Sequence, residues 1–371
     1  MDNKFVQHQN HLLSLLQETD FDLIALNPSP TLFYLSGLDF HLMERPILFL
    51  FSKYTSPIIF LPELETGKIN PSDNSLQVIS YGEDPASWLG QFQKCLNFLD
   101  KAALSKIGVE PTSLRFLEFE FLQATFPSSE FCSCQILSSA LRMNKDEEER
   151  KNILKAVKIA EEGLTHTLPF IKPGVTEREI ANELVVQLIQ AGADPQMPFN
   201  PIIASGENSA NPHAVPTDRK IQTDDVLVID WGAKYHGYIS DLTRTFAIGK
   251  IKPDLERIYA VVKRANEIGR QYVSPNISAG DIDQAVRDSI NQAGLGKHFF
   301  HRTGHGIGLE THEEPYIRMD NQMILQPGMT FTIEPGVYLE NNFGVRIEDN
   351  VIVTKSGGET LSNFSRNLMI L

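Results

Sequence analysis

The chain has 371 residues, of which 42% are apolar and 22% charged, and its formal net charge is −14. This length accommodates two domains with separate cores, and the composition is that of an ordinary globular protein. The negative charge argues against nucleic-acid binding, because surfaces that bind nucleic acids are usually basic. No apolar run approaches the roughly 18 residues that a membrane-spanning helix needs, so we expect no membrane association.

The cysteines and the N-terminal residues predict the compartment. The chain has three cysteines, Cys95, Cys132 and Cys134, and no CxxC pair. This pattern indicates neither a disulfide framework nor a zinc ribbon, and it fits a reducing compartment. The first residues, MDNKFVQHQNHLLSLLQE, lack a signal-peptide core. We therefore expect a cytoplasmic protein in which Cys132 and Cys134 are structural.

Residues 1–140 predict an α/β domain without a catalytic motif, because helix-like and strand-like segments alternate there. Helical periodicity runs through Phe5 to Leu16, Trp88 to Leu99 and Leu114 to Ala124. Short β-prone runs bounded by turn residues lie between these helices. These runs are Phe21 to Leu26, Ile47 to Phe51, Pro57 to Leu61 and Leu76 to Ile79.

Residues 141–371 form the second predicted domain, which has a repeated plan. A helix over Asp146 to Leu168 precedes one that Thr176 caps, and helices over Pro253 to Tyr272 and Ile282 to Ala293 repeat this pair. The second helices match at a constant offset of 102 residues, and strands follow each pair. We expect two helix-helix-hairpin units that face one shared cleft.

The first hairpin covers Val226 to Ile248 and contains two aspartates. If its turn centres between Tyr235 and His236, Asp230 and Asp241 lie directly opposite one another. Two facing carboxylates destabilise a ladder unless a cation lies between them. The alternative is an incorrect register that leaves both aspartates in exposed turns.

The second half supplies further candidate ligands. Predicted strands over Met329 to Glu334 and Gly344 to Thr354 contain Glu334 and Glu348, and Gly304 and Gly306 bracket His305. Four converging carboxylates would carry a charge of about −4, which a dry interior cannot hold without compensation. Two divalent cations would balance it, and this donor set suits Mn, Co, Zn or Fe better than a soft metal or calcium.

Histidines are concentrated in the same region, since six of the ten fall between His213 and His312. His213 stands in the rigid NPHAVP segment, and His312 follows His305 by seven residues. Either could be a hydrogen-bonded structural histidine, or both could contact a ligand. We expect His236, His298 and His301 to be bystanders.

These motifs together resemble the pita-bread metallopeptidases, which include prolidase, aminopeptidase P and methionine aminopeptidase. The matching blocks are SGENSANPHAVP, VIDWGAKYHGYISDLTRT, HRTGHGIGLETHEEP, FTIEPGVY and GVRIEDNVIVT. LNPSPTLFYLSGL resembles the creatinase-like N-terminal domain of prolidases and aminopeptidases P. The resemblance implies an α/β (α+β) protein with such an N-terminal domain and a duplicated pita-bread catalytic domain.

The resemblance also implies the roles of individual residues. The family's metal ligands fall on Asp230, Asp241, His305, Glu334 and Glu348 without substitution. Asp241 and Glu348 would bridge two divalent ions, with Mn favoured over Co, Zn or Fe. Glu334 would also move a proton. His213 and His312 would hold the substrate, and Arg346 would orient a ligand carboxylate.

The implied substrate is a small peptide with proline after the scissile bond, and the implied assembly is a homodimer. We favour a prolidase-type dipeptidase, with an Xaa-Pro aminopeptidase (aminopeptidase P) as the alternative. Methionine aminopeptidase does not normally carry this N-terminal domain, and creatinase lacks the metal ligands. A non-catalytic protein-binding member of the fold is the remaining alternative, although such members usually lose ligands.

Overall fold

The computed structural model describes residues 3–70, 76–97, 99 and 104–371. The chain divides into two compact units, Met1–Arg142 and Met143–Leu371, and each has its own buried apolar clusters. The assignment of residues 1–140 and 141–371 to two domains stays a prediction. Across the described ranges, no helix has the length and apolar character needed to span a bilayer. The side chain of Cys95 lies outside the described residues.

The N-terminal unit is built around a six-stranded mixed sheet, and buried apolar side chains of its strands and helices form the core. The helices are α1 Asn3–Gln17, α2 Pro30–Ser36, α3 Pro85–Cys95, α4 Phe116–Thr125 and α5 Gln135–Met143. The strands are β1 Leu23–Leu26, β2 Leu48–Ser52, β3 Ile58–Pro62, β4 Gln77–Tyr81, β5 Lys106–Val109 and β6 Glu130–Ser133. Their order in the sheet is β4-β3-β2-β1-β5-β6.

The sequence pattern located most of these elements within a few residues. Strand β1 is buried along its whole length, pairs antiparallel with β2 and pairs parallel with β5. The sequence analysis gave no bounds for α2, β5, β6 or α5. Helix α3 ends at Cys95 rather than Leu99, and residue 98 of the predicted stretch lies outside the described residues.

The C-terminal unit contains the repeated elements. The helices are α6 Glu147–Thr167, α7 Glu177–Gln190, α8 Pro253–Tyr272 and α9 Ala279–Gln292. The first half has β7 Ile202–Ser205, β8 Val226–Trp231, β9 Lys234–Tyr235, β10 Tyr238–Ile239 and β11 Leu242–Ala247. The second half has β12 Gly304–Gly306, β13 Glu313–Ile317, β14 Thr330–Ile333, β15 Gly336–Leu339, β16 Phe343–Arg346, β17 Asp349–Thr354, β18 Gly357–Thr360 and β19 Met369–Ile370.

The two halves follow one plan. In each, a long helix packs on a shorter one, α6 on α7 and α8 on α9. Both shorter helices begin with a complete capping box, at Thr176 and at Ser278. In each box the side-chain hydroxyl of the capping residue accepts a hydrogen bond from the N–H three residues later, and the carboxylate of that later residue accepts one from the N–H of the capping residue. A single strand then pairs with the hairpin that follows, β7 with β8 and β12 with β14. The predicted duplication of helices and hairpin is therefore confirmed.

The predicted register of the first hairpin is wrong by two residues. Asp230 lies opposite Thr243, not Asp241. The turn centres on His236 and Gly237, whose φ angles of 49° and 85° are both positive, as in the two-residue turn that matches strand twist. A shift of two residues leaves every side chain on its predicted face. Asp241 therefore remains a diagonal neighbour of Asp230, in the gap before β11.

The second hairpin is interrupted where its carboxylates lie. The predicted strand from Gly344 to Thr354 breaks into β16 and β17. Ile333 pairs with Asp349 on one side of the gap, and Gly336 pairs with Arg346 on the other. Pro335 has no N–H and therefore cannot donate a hydrogen bond to the ladder in this gap. Glu334 and Glu348 fall within the gap.

Candidate metal centre

The five predicted ligands come from five different places in the C-terminal unit. Asp230 lies near the end of β8, and Asp241 immediately precedes β11. His305 is the central residue of β12, Glu334 follows β14, and Glu348 precedes β17. Most of these positions are strand ends or interruptions of a ladder. Side chains at such positions are free to turn towards one point.

These side chains line one cavity with a volume of about 650 Å³. Ligand atoms of Asp241, His305 and Glu348 all lie within 4.8 Å of one another. The Nε2 atom of His305 is 3.6 Å from a carboxylate oxygen of Asp241 and 3.5 Å from one of Glu334. The structure therefore brings a nitrogen donor and three carboxylates together on the wall of the cavity.

Asp230 is held by Arg346. Its Oδ2 atom accepts a 2.6 Å hydrogen bond from Nη2 of Arg346, and both groups are buried. Its other oxygen, Oδ1, is buried without a hydrogen-bond partner among the described residues. Buried carboxylate oxygens normally have a partner. This orphaned acceptor in the cavity is the kind of group that a cation would satisfy.

Thr243 is a residue of the site that the sequence analysis missed. Its hydroxyl donates to Oε2 of Glu348 at 2.7 Å and accepts a 3.1 Å hydrogen bond from Nε of Arg346. It also faces Asp230 across the ladder. The signal was present in the sequence, because residues two apart in a strand share a face and Thr243 follows Asp241 by two.

The electrostatics of the carboxylates are unfavourable without a cation. Burial, followed by the charges of Glu348 and Asp230, raises the pKa of Asp241 well above its usual range. Burial and the charge of Glu334 do the same to the pKa of Glu348. Burial also raises the pKa of Asp230, although Arg346 opposes the change, and raises that of Glu334 to about 7. A positive charge in the cavity would therefore stabilise the ionised forms of these four carboxylates.

His305 is suited to coordinate a metal because its imidazole is neutral. Burial, together with the charges of His312 and Arg302, lowers the pKa of His305 well below its ordinary value. A neutral imidazole is the form that binds a metal. Gly304 and Gly306 make this position possible, since a Cβ atom at either would lie within 2.3 Å of a backbone oxygen of a neighbouring segment.

The donor set fits divalent cations. Oxygen and imidazole ligands are those of Mn, Co, Zn or Fe, and the cluster contains no thiolate. Four carboxylates, of which Asp230, Asp241 and Glu348 are buried and Glu334 is half-buried, carry more negative charge than Arg346 neutralises, and Asp230 has an unsatisfied oxygen. The residues therefore fit the divalent metal use that the sequence predicts. The assignment of each ligand to an ion stays a prediction.

His213 and His312 both line the cavity, but they are exposed rather than buried. The ring of His312 lies edge-on to the ring of His305, with centroids 4.2 Å apart. The loop that carries His213 is anchored by Arg346, whose Nη1 donates to the carbonyl of Pro212 at 3.2 Å. Both histidines are therefore placed where an entering ligand would meet them.

His301, left aside as a bystander, also lines this cavity. Its Nε2 lies 3.1 Å from the hydroxyl of Tyr338, which in turn accepts a 2.8 Å hydrogen bond from Arg346. Burial lowers the pKa of His301 to about 3. Its position, four residues before His305 across an irregular segment, has no periodicity that could have identified it. His236 and His298 are absent from the lining of the cavity.

Comparisons with known proteins agree with this geometry. Residues 151–355 match the family model of metallopeptidase family M24, and residues 9–144 match that of the creatinase/prolidase N-terminal domain. The first match covers more than half of the chain. It includes all five predicted ligands, together with His213, His312 and Arg346.

Individual relatives extend over nearly the whole chain. An Xaa-Pro dipeptidase of Lactobacillus helveticus is 33% identical over 361 residues, which are 96% of each protein. A prolidase from Thermococcus sibiricus has the same fold with a TM-score of 0.91 at 33% identity, and all of both chains is covered. An X-Pro aminopeptidase from Thermotoga maritima MSB8 aligns with a TM-score of 0.84 at 28% identity, covering 98% of this chain and 99% of its own. By its sequence, its fold and its cluster of buried ligands, this chain belongs to metallopeptidase family M24.

Proposed function

We propose that this metallopeptidase hydrolyses Xaa-Pro bonds and is a dipeptidase of the prolidase type. The observation that carries the proposal is the convergence of four carboxylates and a neutral histidine on one cavity. The dipeptidase and prolidase among the relatives support the substrate class. An Xaa-Pro aminopeptidase remains the second candidate, because one solved structure of that kind is also similar.

Two divalent ions would be held by Asp230, Asp241, His305, Glu334 and Glu348. When bound, such ions lower the pKa of a water and polarise a carbonyl. Mn is the metal that we favour, with Co, Zn or Fe as alternatives. Metal analysis of the purified protein by mass spectrometry, with the ratio of metal to chain, tests both the identity and the number of ions.

The surrounding residues hold the ligands in place. Arg346 orients Asp230, and Thr243 orients Glu348, so these carboxylates do not have to reorganise when charge develops nearby. Glu334 moves a proton from the attacking water to the proline nitrogen. His213 and His312 donate hydrogen bonds to the substrate and stabilise the charge that develops on its carbonyl oxygen.

A comparison of Ala-Pro with Ala-Pro-Ala tests the function. Both peptides are incubated with chelator-stripped protein, with and without added Mn²⁺, and the free amino acids are quantified. Metal-dependent cleavage of the dipeptide alone supports a prolidase. Preferred cleavage of the tripeptide favours an aminopeptidase, and cleavage of neither by protein that has bound metal contradicts the proposal.

Homodimer formation and a cytoplasmic location are further parts of the proposal. Light scattering of the purified protein tests the first, and fractionation of the source cells tests the second. The net charge of −14 supports the absence of a nucleic-acid partner.

A further inference from the structure

Two of the predicted ligands belong to opposite halves of the C-terminal unit, and their segments meet at a single bridge. Asp241 precedes β11 in the first half, and Glu348 precedes β17 in the second. Thr243 and Glu348 form an isolated antiparallel bridge, in which the N–H of Glu348 donates to the carbonyl of Thr243 at 3.1 Å. The two carboxylates therefore lie where the two halves are in contact.

The register of this bridge leads to Asn350. In an antiparallel pair, a step of two residues back along one strand matches a step of two residues forward along the other. Asp241 is two residues before Thr243, and Asn350 is two residues after Glu348. Continuation of the bridge would therefore place Asp241 opposite Asn350.

A side chain, rather than the backbone, makes the hydrogen bonds at that position. The Asn350 side chain accepts a 3.1 Å hydrogen bond from the N–H of Asp241 and donates a 2.5 Å hydrogen bond to the carbonyl of Asp241. Asp241 lies in the gap between β10 and β11, one residue before the β8–β11 ladder begins at Leu242. Because an amide has both a donor and an acceptor, this one side chain satisfies both backbone groups of a buried residue.

Asn350 is itself held firmly. It is fully buried and lies in β17, which has β14 on one side and β18 on the other. It pairs with Thr332 of β14, and its carbonyl accepts a 2.8 Å hydrogen bond from the N–H of Leu361. Residues two apart in an extended segment share a face, so Asn350 projects on the same side as Glu348. One segment therefore carries both Glu348 and the group that holds Asp241.

The relative position of the two carboxylates matters because they are close. One oxygen of Asp241 and one of Glu348 lie within 4.8 Å of each other. Ionised carboxylates at this distance repel one another unless a cation lies near them. A fixed connection between their backbones keeps them from moving apart, so less reorganisation is needed when cations bind.

We propose that Asn350 is the positioning residue that fixes Asp241 relative to Glu348 and thereby raises the affinity of the site for divalent ions. Asn350 acts through the backbone of Asp241 and is not itself a ligand. This inference rests on the proposed function, because it takes Asp241 and Glu348 as ligands shared by both ions. Replacing a residue that orients a metal ligand typically changes metal affinity by about 10–100-fold.

Metal affinity, measured without any peptide, tests this inference. Chelator-stripped wild type, Asn350→Leu and Asn350→Gln are titrated with Mn²⁺ in competition with a chromophoric chelator, and circular dichroism verifies that each protein is folded. Leucine has about the volume of asparagine but makes no side-chain hydrogen bonds. We therefore expect Asn350→Leu to raise the dissociation constants of both ions by roughly 10–100-fold. Asn350→Gln keeps the amide and should recover part of the affinity.

Asn27→Ala is the control, because Asn27 is an equally buried asparagine that follows β1 in the N-terminal unit. Its dissociation constants should equal those of the wild type. If Asn350→Leu does not fold, Asn350→Ser takes its place, since a hydroxyl on this shorter side chain does not reach both backbone groups of Asp241. We expect the same loss of affinity from Asn350→Ser.

Unchanged metal affinity in Asn350→Leu or its replacement would overturn the inference. Equal losses in that variant and in Asn350→Gln would also overturn it, because the site would then respond to packing and not to the amide. Hydrolysis of Ala-Pro and Ala-Pro-Ala by the same wild-type preparation tests the proposed function separately. A wild type that binds Mn²⁺ but cleaves neither peptide contradicts the proposed function, whereas weaker metal binding by Asn350→Leu would still support the role of Asn350. A wild type that binds no divalent ion would overturn both.

Discussion

At the scale of single residues, Asp241 occupies the position on which the site depends most. Its carboxylate lies 3.6 Å from Nε2 of His305 and within 4.8 Å of a carboxylate oxygen of Glu348, and the residue is 5% exposed. Burial and neighbouring charge both raise its pKa, so its ionised form requires a cation. A residue in this position affects the metal and the reaction together.

We therefore expect Asp241→Ala to abolish metal binding and peptidase activity at the same time. Metal content by mass spectrometry and hydrolysis of Ala-Pro are measured on the same preparation. Asp320→Ala, which removes an exposed carboxylate paired with Arg318, is the control. Near-normal activity of Asp241→Ala would exclude the dinuclear site.

His213 should behave differently, because it is exposed and has no described contact with the carboxylates. We expect His213→Ala to retain its metal and to lose roughly 10²–10³ in rate, as when one transition-state hydrogen-bond donor is removed. Steady-state kinetics and metal analysis check this, with His298→Ala as the control. A variant without metal would show that His213 is a ligand instead.

At the scale of elements, the loop that carries His213 is fixed by Glu177, in the first turn of α7. The carboxylate of Glu177 is fully buried and accepts hydrogen bonds from both ends of this loop. At one end Ser205 donates from its N–H at 2.8 Å and its hydroxyl at 2.7 Å. At the other, Thr217 donates from its N–H at 3.0 Å and its hydroxyl at 2.6 Å.

We expect Glu177→Ala to lower the free energy of unfolding by about 3 kcal/mol, because several buried donors lose their acceptor. Since His213 lies on the released loop, kcat should fall while metal content is retained. Urea denaturation, kinetics and metal analysis test this. Glu183→Ala, on the same helix, should change neither property, and a stable, fully active Glu177→Ala protein would contradict the account.

Glu149, in the first turn of α6, leads to a prediction about how the stability of the protein depends on pH. Glu149 closes a capping box with Asp146 and accepts a 3.0 Å hydrogen bond from Tyr238. Burial raises the pKa of Glu149 from 4.5 to about 7. The folded state therefore holds this proton more tightly, and the associated stability is present below pH 4.5 and is lost as the pH rises to about 7.

Glutamine preserves the capping box but does not ionise. Relative to the wild type, we expect Glu149→Gln to gain on the order of 2–3 kcal/mol in the free energy of unfolding between acidic and neutral pH. Chemical denaturation at a series of pH values measures this difference. If the two proteins show parallel pH profiles, the Glu149 carboxyl does not titrate as described.

At the scale of the whole molecule, all the predicted ligands belong to the C-terminal unit, Met143–Leu371. Metal bound to the folded state stabilises it by mass action. If the two units unfold independently, calorimetry should resolve two transitions, and chelation should lower the temperature of only one. A shift of both transitions by the same amount would show that the units unfold together.

Much of this molecule was predictable from local patterns. The capping box at Thr176, the paired long and short helices and the β-branched strands are all properties of residues close together in sequence, whereas the sequence analysis did not predict the box at Ser278 and began α9 three residues late, at Ile282. The type of each candidate ligand was predictable for the same reason, since four carboxylates and a glycine-flanked histidine are chemically distinctive. Helix α2 has only seven residues, about two helical turns, which are too few to show a clear period.

What the sequence determined by itself was the chemistry of the donors and the order of the elements, because local propensity and charge depend on neighbours along the chain. Only the tertiary structure decided the register that places Asp230 opposite Thr243 and the hydrogen bond between Arg346 and Asp230. It also decided that His301 and Arg302 line the cavity. Asp230 and Arg346 are 116 residues apart in the sequence. Contacts of this kind depend on how the two halves of the C-terminal unit pack together, and local sequence patterns do not specify that packing.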